Sequence, residues 1–328
     1  MNILMVCHAG AGLGLGHLTR SLVMARALIH KLDTQVQFLI QGDRVQRTDL
    51  SAFTHQFITV EQSLLAVLQI MHDAIKPTII ILDIHPQKIP QGLAALLNAF
   101  RNQKTKVVGV DSLAGLHDAL DLLFIPSFRL PACVNDSAST PVLFGWDCFL
   151  LNVQYLPKTW QSSEQVLALT GGSDATCLGQ TWPKQIDSYL PKQTHLHWVV
   201  GPYAQAPTWP TDARLTFSIH NAPDSLDQLM LTASYAITVF GVSFFELLHY
   251  GVPTVVFSPY GNKDAAELAE IALAGVALVA KDEGDALIKL SVLMSDDGLA
   301  RTLSQRAQQK LFSSGAEKLV HAVTRLLE

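Results

Sequence analysis

The first 32 residues, MNILMVCHAGAGLGLGHLTRSLVMARALIHKL (1–32), decide how the chain is read. A short apolar run, "NILMVC", leads into a loop with glycines at 10, 12, 14 and 16. A segment whose apolar residues recur at helical spacing follows. An apolar strand covered on both faces, a tight glycine turn and an amphipathic helix make the first part of a βαβ unit. At the junction of turn and helix stand His17 and, one helical turn on, Arg20.

The same alternation continues outward from that unit. Apolar, β-branched runs recur at "VQFLI" (36–40), "TIIILD" (78–83), "KVVGVD" (106–111) and "DLLFI" (121–125), with helical stretches such as "QGLAALLNAFRNQ" (91–103) between them. The pattern pauses at the polar "NVQYLPKTWQSSEQ" (152–165). It restarts with "VLALT" (166–170), "LHWVV" (196–200), "YAITV" (235–239) and "TVVFS" (254–258). Strands alternating with helices predict parallel sheets. The expected architecture is α/β, with two Rossmann-like parallel-sheet domains over 1–150 and 165–328 joined by a linker at 151–164. The closing "GAEKLVHAVTRLLE" (315–328) reads as an amphipathic helix able to pack back on the N-terminal domain.

Composition narrows the function. Of 328 residues 49% are apolar and 16% charged, which suits extensive burial and excludes disorder. A net charge of -5 offers no basic face for nucleic acid. Cys7, Cys133, Cys148 and Cys177 lie far apart with no CxxC pair, so free thiols in a reducing, cytoplasmic setting are expected, with no zinc site. No apolar window is long enough for a spanning helix; contact with a membrane surface stays open.

In open parallel sheets ligands bind beyond the carboxyl ends of the strands, which singles out positions 8–20, 83–88, 111–117, 171–176, 241–246 and 258–264. The first glycine loop misses the G-x-G-x-x-G register of dinucleotide binding and has no Walker lysine. An NAD-dependent oxidoreductase and a P-loop NTPase both lose ground on that count. His17 at a helix start is held neutral by the helix dipole and is a candidate general base; Arg20 on the same face can meet an anion or a carboxylate. A plain helix-end histidine is the competing explanation. Further on, Gly171, Gly172 and Ser173 form an anion-friendly turn. Gly241 and Ser243 open a helix where N–H groups and a hydroxyl can meet phosphate, and Glu246, one turn in, can chelate two ribose hydroxyls. No D-x-D pair suggests a metal, and charge stabilisation of a leaving diphosphate can come from a helix N-terminus with Lys263 or Arg20. Asp224 and Asp227 read as solvated surface.

Three stretches, "GLGHLTRSLVMARAL", "LTGGSD" and "FGVSFFELLHYGVPTVVFSPYGNK", resemble nucleotide-sugar enzymes of the GT-B fold. The nearest likeness is to the UDP-sugar hydrolases of the pseudaminic acid pathway and their spore-coat polysaccharide relatives; a more distant one is to the peptidoglycan N-acetylglucosaminyltransferase. The resemblance runs over roughly residues 2–280 and implies two Rossmann-like domains facing a central cleft. By position, His17 matches the family's base, with Gly16 and Arg20 completing its motif, and Glu246 matches the ribose carboxylate. Asn262 falls where the hydrolases carry a sugar-contacting Asn-Gln pair, here Asn262-Lys263. His85 stands where they usually carry a tyrosine, and "GGSDAT" lacks their proline. The expectation is therefore a UDP-sugar glycosyltransferase of cell-surface glycan or glycoconjugate synthesis. It would take a UDP-sugar donor and a sugar, lipid-linked or small-molecule acceptor, and need no cofactor or metal. The alternatives are a UDP-sugar hydrolase with water as acceptor and a catalytically silent sugar-nucleotide-binding protein.

Overall fold

A computed structural model describes residues 1–10, 13–134 and 140–328. The chain divides into two compact units, 1–152 together with 313–328, and 153–312.

The first unit begins with β1 (Asn2–Ala9), α1 (Gly16–Leu32), β2 (Gln35–Gly42), β3 (Thr54–Ile58), α2 (Leu64–Ile75) and β4 (Ile79–Asp83). It continues with α3 (Leu93–Asn102), β5 (Lys106–Val110), β6 (Leu122–Phe124) and β7 (Val142–Leu143). Its seven strands lie in the order β3-β2-β1-β4-β5-β6-β7, each pair parallel. Strand β1 is apolar from Ile3 to Cys7 because both its faces are covered there. Ile3, Met5 and Cys7 join the core under α1, and Leu4 and Val6 join the core under α2 and α3. Helix α1 buries Leu18, Leu22, Ala25 and Leu28 on its sheet-facing stripe.

The second unit follows as β8 (Gln165–Leu169), α4 (Leu178–Tyr189), β9 (His195–Val200), β10 (Thr216–Asn221), α5 (Asp227–Thr232), β11 (Tyr235–Val239) and α6 (Val242–His249). Then come β12 (Thr254–Phe257), α7 (Ala265–Ala274), β13 (Leu278–Val279), α8 (Glu283–Ser295) and α9 (Asp297–Lys310). Its sheet runs β10-β9-β8-β11-β12-β13, again parallel. The last helix, α10 (Gly315–Leu327), belongs to the first unit. Its Ala316, Leu319, Val320 and Val323 enter the same core as α1. Gly315 starts it at a point where a Cβ would lie 2.3 Å from the Cys148 carbonyl, and Lys318 Nζ is 2.8 Å from both Asp147 oxygens. The second unit therefore ends near residue 312 and not at the chain end.

Residues 151–164 have neither helix nor strand. They are nevertheless tied to the second unit from Val153 on: Trp160 Nε1 donates to the Ser234 carbonyl at 2.7 Å, and Gln154 N donates toward Tyr250 Oη at 3.3 Å. Asp227 corrects the sequence expectation of a solvated acid. It is buried, accepting from the Ser225 hydroxyl at 2.6 Å and from the Tyr250 hydroxyl, and so anchors this segment from beneath.

Candidate active site

In each sheet the strand order reverses once, between β1 and β4 and between β8 and β11. Ligands of doubly wound sheets bind at the carboxyl side of that reversal. The loops there are those after β1 and β4 in the first unit, and after β8 and β11 in the second.

In the first unit, Gly16 and His17 open α1 and Asp83 ends β4. His17 Nδ1 lies 2.7 Å from Asp83 Oδ1 and 3.0 Å from Arg20 Nη2. Arg20 donates to both carboxylate oxygens, from Nε to Oδ2 at 2.7 Å and from Nη2 to Oδ1 at 2.8 Å, and from Nη1 to Asp111 Oδ2 at 2.9 Å. With the guanidinium committed to carboxylates, the network assigns the His17 proton to Nδ1, donating to Asp83. Nε2 is left with a free lone pair. The Asp83 side chain is 0% exposed. Burial pushes its carboxyl up, but the Arg20 guanidinium and the His17 hydrogen bond outweigh burial and hold it below the usual carboxylate range. This is the arrangement of an oriented base: a buried carboxylate fixes the tautomer and can stabilise an imidazolium.

His85 follows Asp83 by two residues. Its ring stands edge-on to His17 with 5.8 Å between centroids, and its Nδ1 accepts from Gln87 N at 3.3 Å. Burial, then His17 and Lys88, lower its pKa. Gly10 and Gly14 exchange backbone hydrogen bonds of 3.1 and 2.7 Å and pinch the glycine loop; Gly12 lies outside the described residues.

In the second unit a cavity of about 160 Å³ brings Gly171, Gly172 and Ser243 together with Gly201-Pro202 and Ala222-Pro223. Backbones pack closely here: a Cβ on Gly201 would lie 2.4 Å from the Gly171 carbonyl oxygen. The two helix starts differ. At α4 the Asp174 carboxylate already accepts from Leu178 N and Gly179 N at 2.9 and 2.8 Å, so an anion finds that end occupied. At α6 the N-cap is Gly241, which offers no side-chain cap, and Phe244 N donates back to the Gly241 carbonyl at 3.2 Å, so this helix end carries no carboxylate to compete with an anion. Ser173 is exposed on the loop after β8, and Glu246 is half-buried one turn into α6. Asn262 and Lys263 are exposed after β12, where the Lys263 ammonium sits 5.2 Å from the Tyr260 ring centroid.

The structure thus groups His17, Arg20 and His85 in one unit and Gly171, Gly172 and Ser243 in the other. Asn262 and Lys263 stand apart from the second-unit cavity. Arg20 meets two carboxylates of its own unit. Asp83 and Asp111 open the candidate stretches 83–88 and 111–117 but carried no assigned role, although a charged residue closing an otherwise apolar strand, as in "TIIILD", is a usable signal. The Gly201 and Ala222 loops were also missed. All four cysteines are free. Among the described residues no group of three or more His, Cys, Asp or Glu side chains is arranged to hold a metal ion, and no helix is long and apolar enough to cross a membrane.

No protein-family model matches the sequence, and none of the curated proteins matches it. Solved structures do match over the whole length. MurG of Acinetobacter baumannii is 16% identical with a TM-score of 0.69, covering 99% of this chain and 100% of that one. Phytolacca americana UGT2, in complex with UDP-2-fluoro-glucose and pterostilbene, is 14% identical with a TM-score of 0.66, covering 98% of each chain. A putative UDP-N-acetylglucosamine 2-epimerase from Listeria monocytogenes is 13% identical with a TM-score of 0.63, covering 100% of this chain and 96% of that one. The fold is GT-B. Likeness at these identities establishes architecture; the reaction has to be argued from the residues.

Proposed function

We propose that the chain is a glycosyltransferase that uses a UDP-sugar, with His17 as general base on an acceptor hydroxyl. The observation that carries this reading is the 2.7 Å hydrogen bond between His17 Nδ1 and the buried Asp83 carboxylate. In the reaction, His17 Nε2 takes the hydroxyl proton while the acceptor oxygen bonds to the anomeric carbon. The bond from that carbon to the diphosphate breaks, and UDP leaves with the electron pair. Asp83 stabilises the imidazolium formed. The N-terminus of α6, which has no side-chain cap, suits the departing diphosphate together with Ser243. Glu246 is assigned to the ribose hydroxyls, the Gly201 and Ala222 backbone to the base, and Asn262, Lys263 and His85 to sugar or acceptor. Neighbours of the same fold that include MurG and a UGT complexed with UDP-2-fluoro-glucose and pterostilbene support transfer over hydrolysis. The acceptor class is a sugar, a lipid-linked or a small hydroxyl compound, in keeping with glycan or glycoconjugate synthesis.

Calorimetry tests the nucleotide half. Glu246→Ala should weaken UDP roughly 10- to 100-fold, the loss expected for hydrogen bonds to a charged group, and leave inorganic pyrophosphate nearly unchanged. In thermal shift the wild-type chain should respond to UDP and not to NAD. Unchanged UDP affinity in the variant would remove Glu246 from the site.

A further inference from the structure

We infer that His8, which no step above uses, is a positioning residue that holds the segment after β4 in place beside His17; its kinetic consequences rest on the transferase reading. A chain of hydrogen bonds with only one consistent proton arrangement ties His8 to that segment. Gln41 Nε2 donates to the carbonyls of Thr59 and Gln62 at 3.1 and 2.9 Å, which fixes the amide and turns its Oε1 toward His8 Nε2 at 3.2 Å. That oxygen only accepts, so His8 carries its proton on Nε2. Its Nδ1 is therefore bare, and it accepts the His85 backbone N–H at 2.9 Å. His85 is two residues beyond Asp83, and between them the Ile84 carbonyl accepts from the Ser112 hydroxyl. One bond from each side thus pins the turn that carries both the carboxylate and the second imidazole.

His8 is 0% exposed. Burial, opposed by the Gln41 bond, pushes it down to about 4, and the charges it senses are His17, His85 and Asp83. Packing gives the turn little support on this side: His8 and Gln41 line a cavity of about 160 Å³ together with Leu13, Val60 and Leu64. A protonated His8 would set an Nδ1–H against the His85 N–H, donor against donor, and release the turn.

The test uses two full-length variants. His8→Leu has no acceptor for the His85 N–H. It should lower kcat by about 10²-fold, the scale of a small displacement of catalytic groups, with the KM for UDP-sugar little changed. His8→Asn keeps an oxygen near the Nδ1 position and should recover most of that loss. Equal kcat in His8→Leu and wild type overturns the inference. So does equal impairment of His8→Leu and His8→Asn. A second readout does not need turnover: slow hydrogen exchange of the His85 amide should persist in His8→Asn and be lost in His8→Leu, and fast exchange in the wild type contradicts the bond itself. If the wild type releases UDP from no UDP-sugar, the transferase reading fails, and the exchange result still decides the role of His8.

Discussion

His17→Asn should bind UDP as tightly as the wild-type chain and turn over its UDP-sugar about two to four orders of magnitude more slowly, the usual scale for a lost general base. The first half of that expectation follows from location. The residues assigned to UDP lie on β8, α6 and their neighbours in 153–312, and His17 lies on α1 in the other unit. The second half follows from chemistry. Asparagine keeps a donor that can reach Asp83, so the local fold should survive, but it has no basic nitrogen where Nε2 stood. Stopped turnover with intact UDP binding therefore separates a base from a helix-end histidine. Turnover within a few-fold of wild type would leave His17 as an ordinary helix-end residue.

Asp83→Asn should be the most destabilising single substitution at the site. The carboxylate sits between an arginine and a histidine with no access to water, and removing one partner of a buried pair leaves the other charge uncompensated. Arg20 retains Asp111, so the cost should fall near the lower end of the usual range, about 3 kcal/mol. Only Trp146 of the five tryptophans lies in the first unit, so fluorescence reports mainly the other one. Hydrogen exchange of the β1 and β4 amides reads the right transition, and protection there should drop about 100-fold. The double variant Asp83→Asn/Arg20→Met should be less impaired than the sum of its parts, because it also removes the stranded cation. The native carboxyl lies below its unfolded value, so its contribution is present above about pH 3.9 and is lost as pH falls through the native value. In strong acid the wild type and Asp83→Asn should converge. A loss under about 1 kcal/mol at neutral pH would contradict the ion-pair argument.

What the sequence revealed depends on which pattern burial imposes. Central strands such as β1, β4 and β8 are covered on both faces and appear as unbroken apolar runs. The edge strands β3 ("THQFI") and β10 ("TFSIHN") are largely exposed, carry only two apolar residues each, and escaped notice. With β10 unseen, the Ala222-Pro223 wall of the second-unit cavity could not be placed. Glycine turns and helix starts are local, so His17, Gly171 and Gly241 could be picked out as candidates from sequence alone. Pairings are not local: Asp83 reaches Arg20 from 63 positions away, and Asp227 reaches Tyr250 across 23. Asp227 looked like any other acid in sequence, and the end of the apolar run marked the place of Asp83 but not its partners. Likewise, the amphipathic stripe of α10 announces a buried face, while the surface that buries it, beside α1, is known only from the fold.

The most direct measurement of the central claim is UDP release by the wild-type chain from a panel of UDP-sugars, each with and without sugar and other hydroxyl-bearing acceptors. A glycosyltransferase with His17 as base should release UDP from a subset of donors only when an acceptor is present, with one glycoside formed per UDP. UDP release at the same rate in water alone would make the chain a hydrolase, and release from no donor under any condition would contradict catalysis on UDP-sugars altogether.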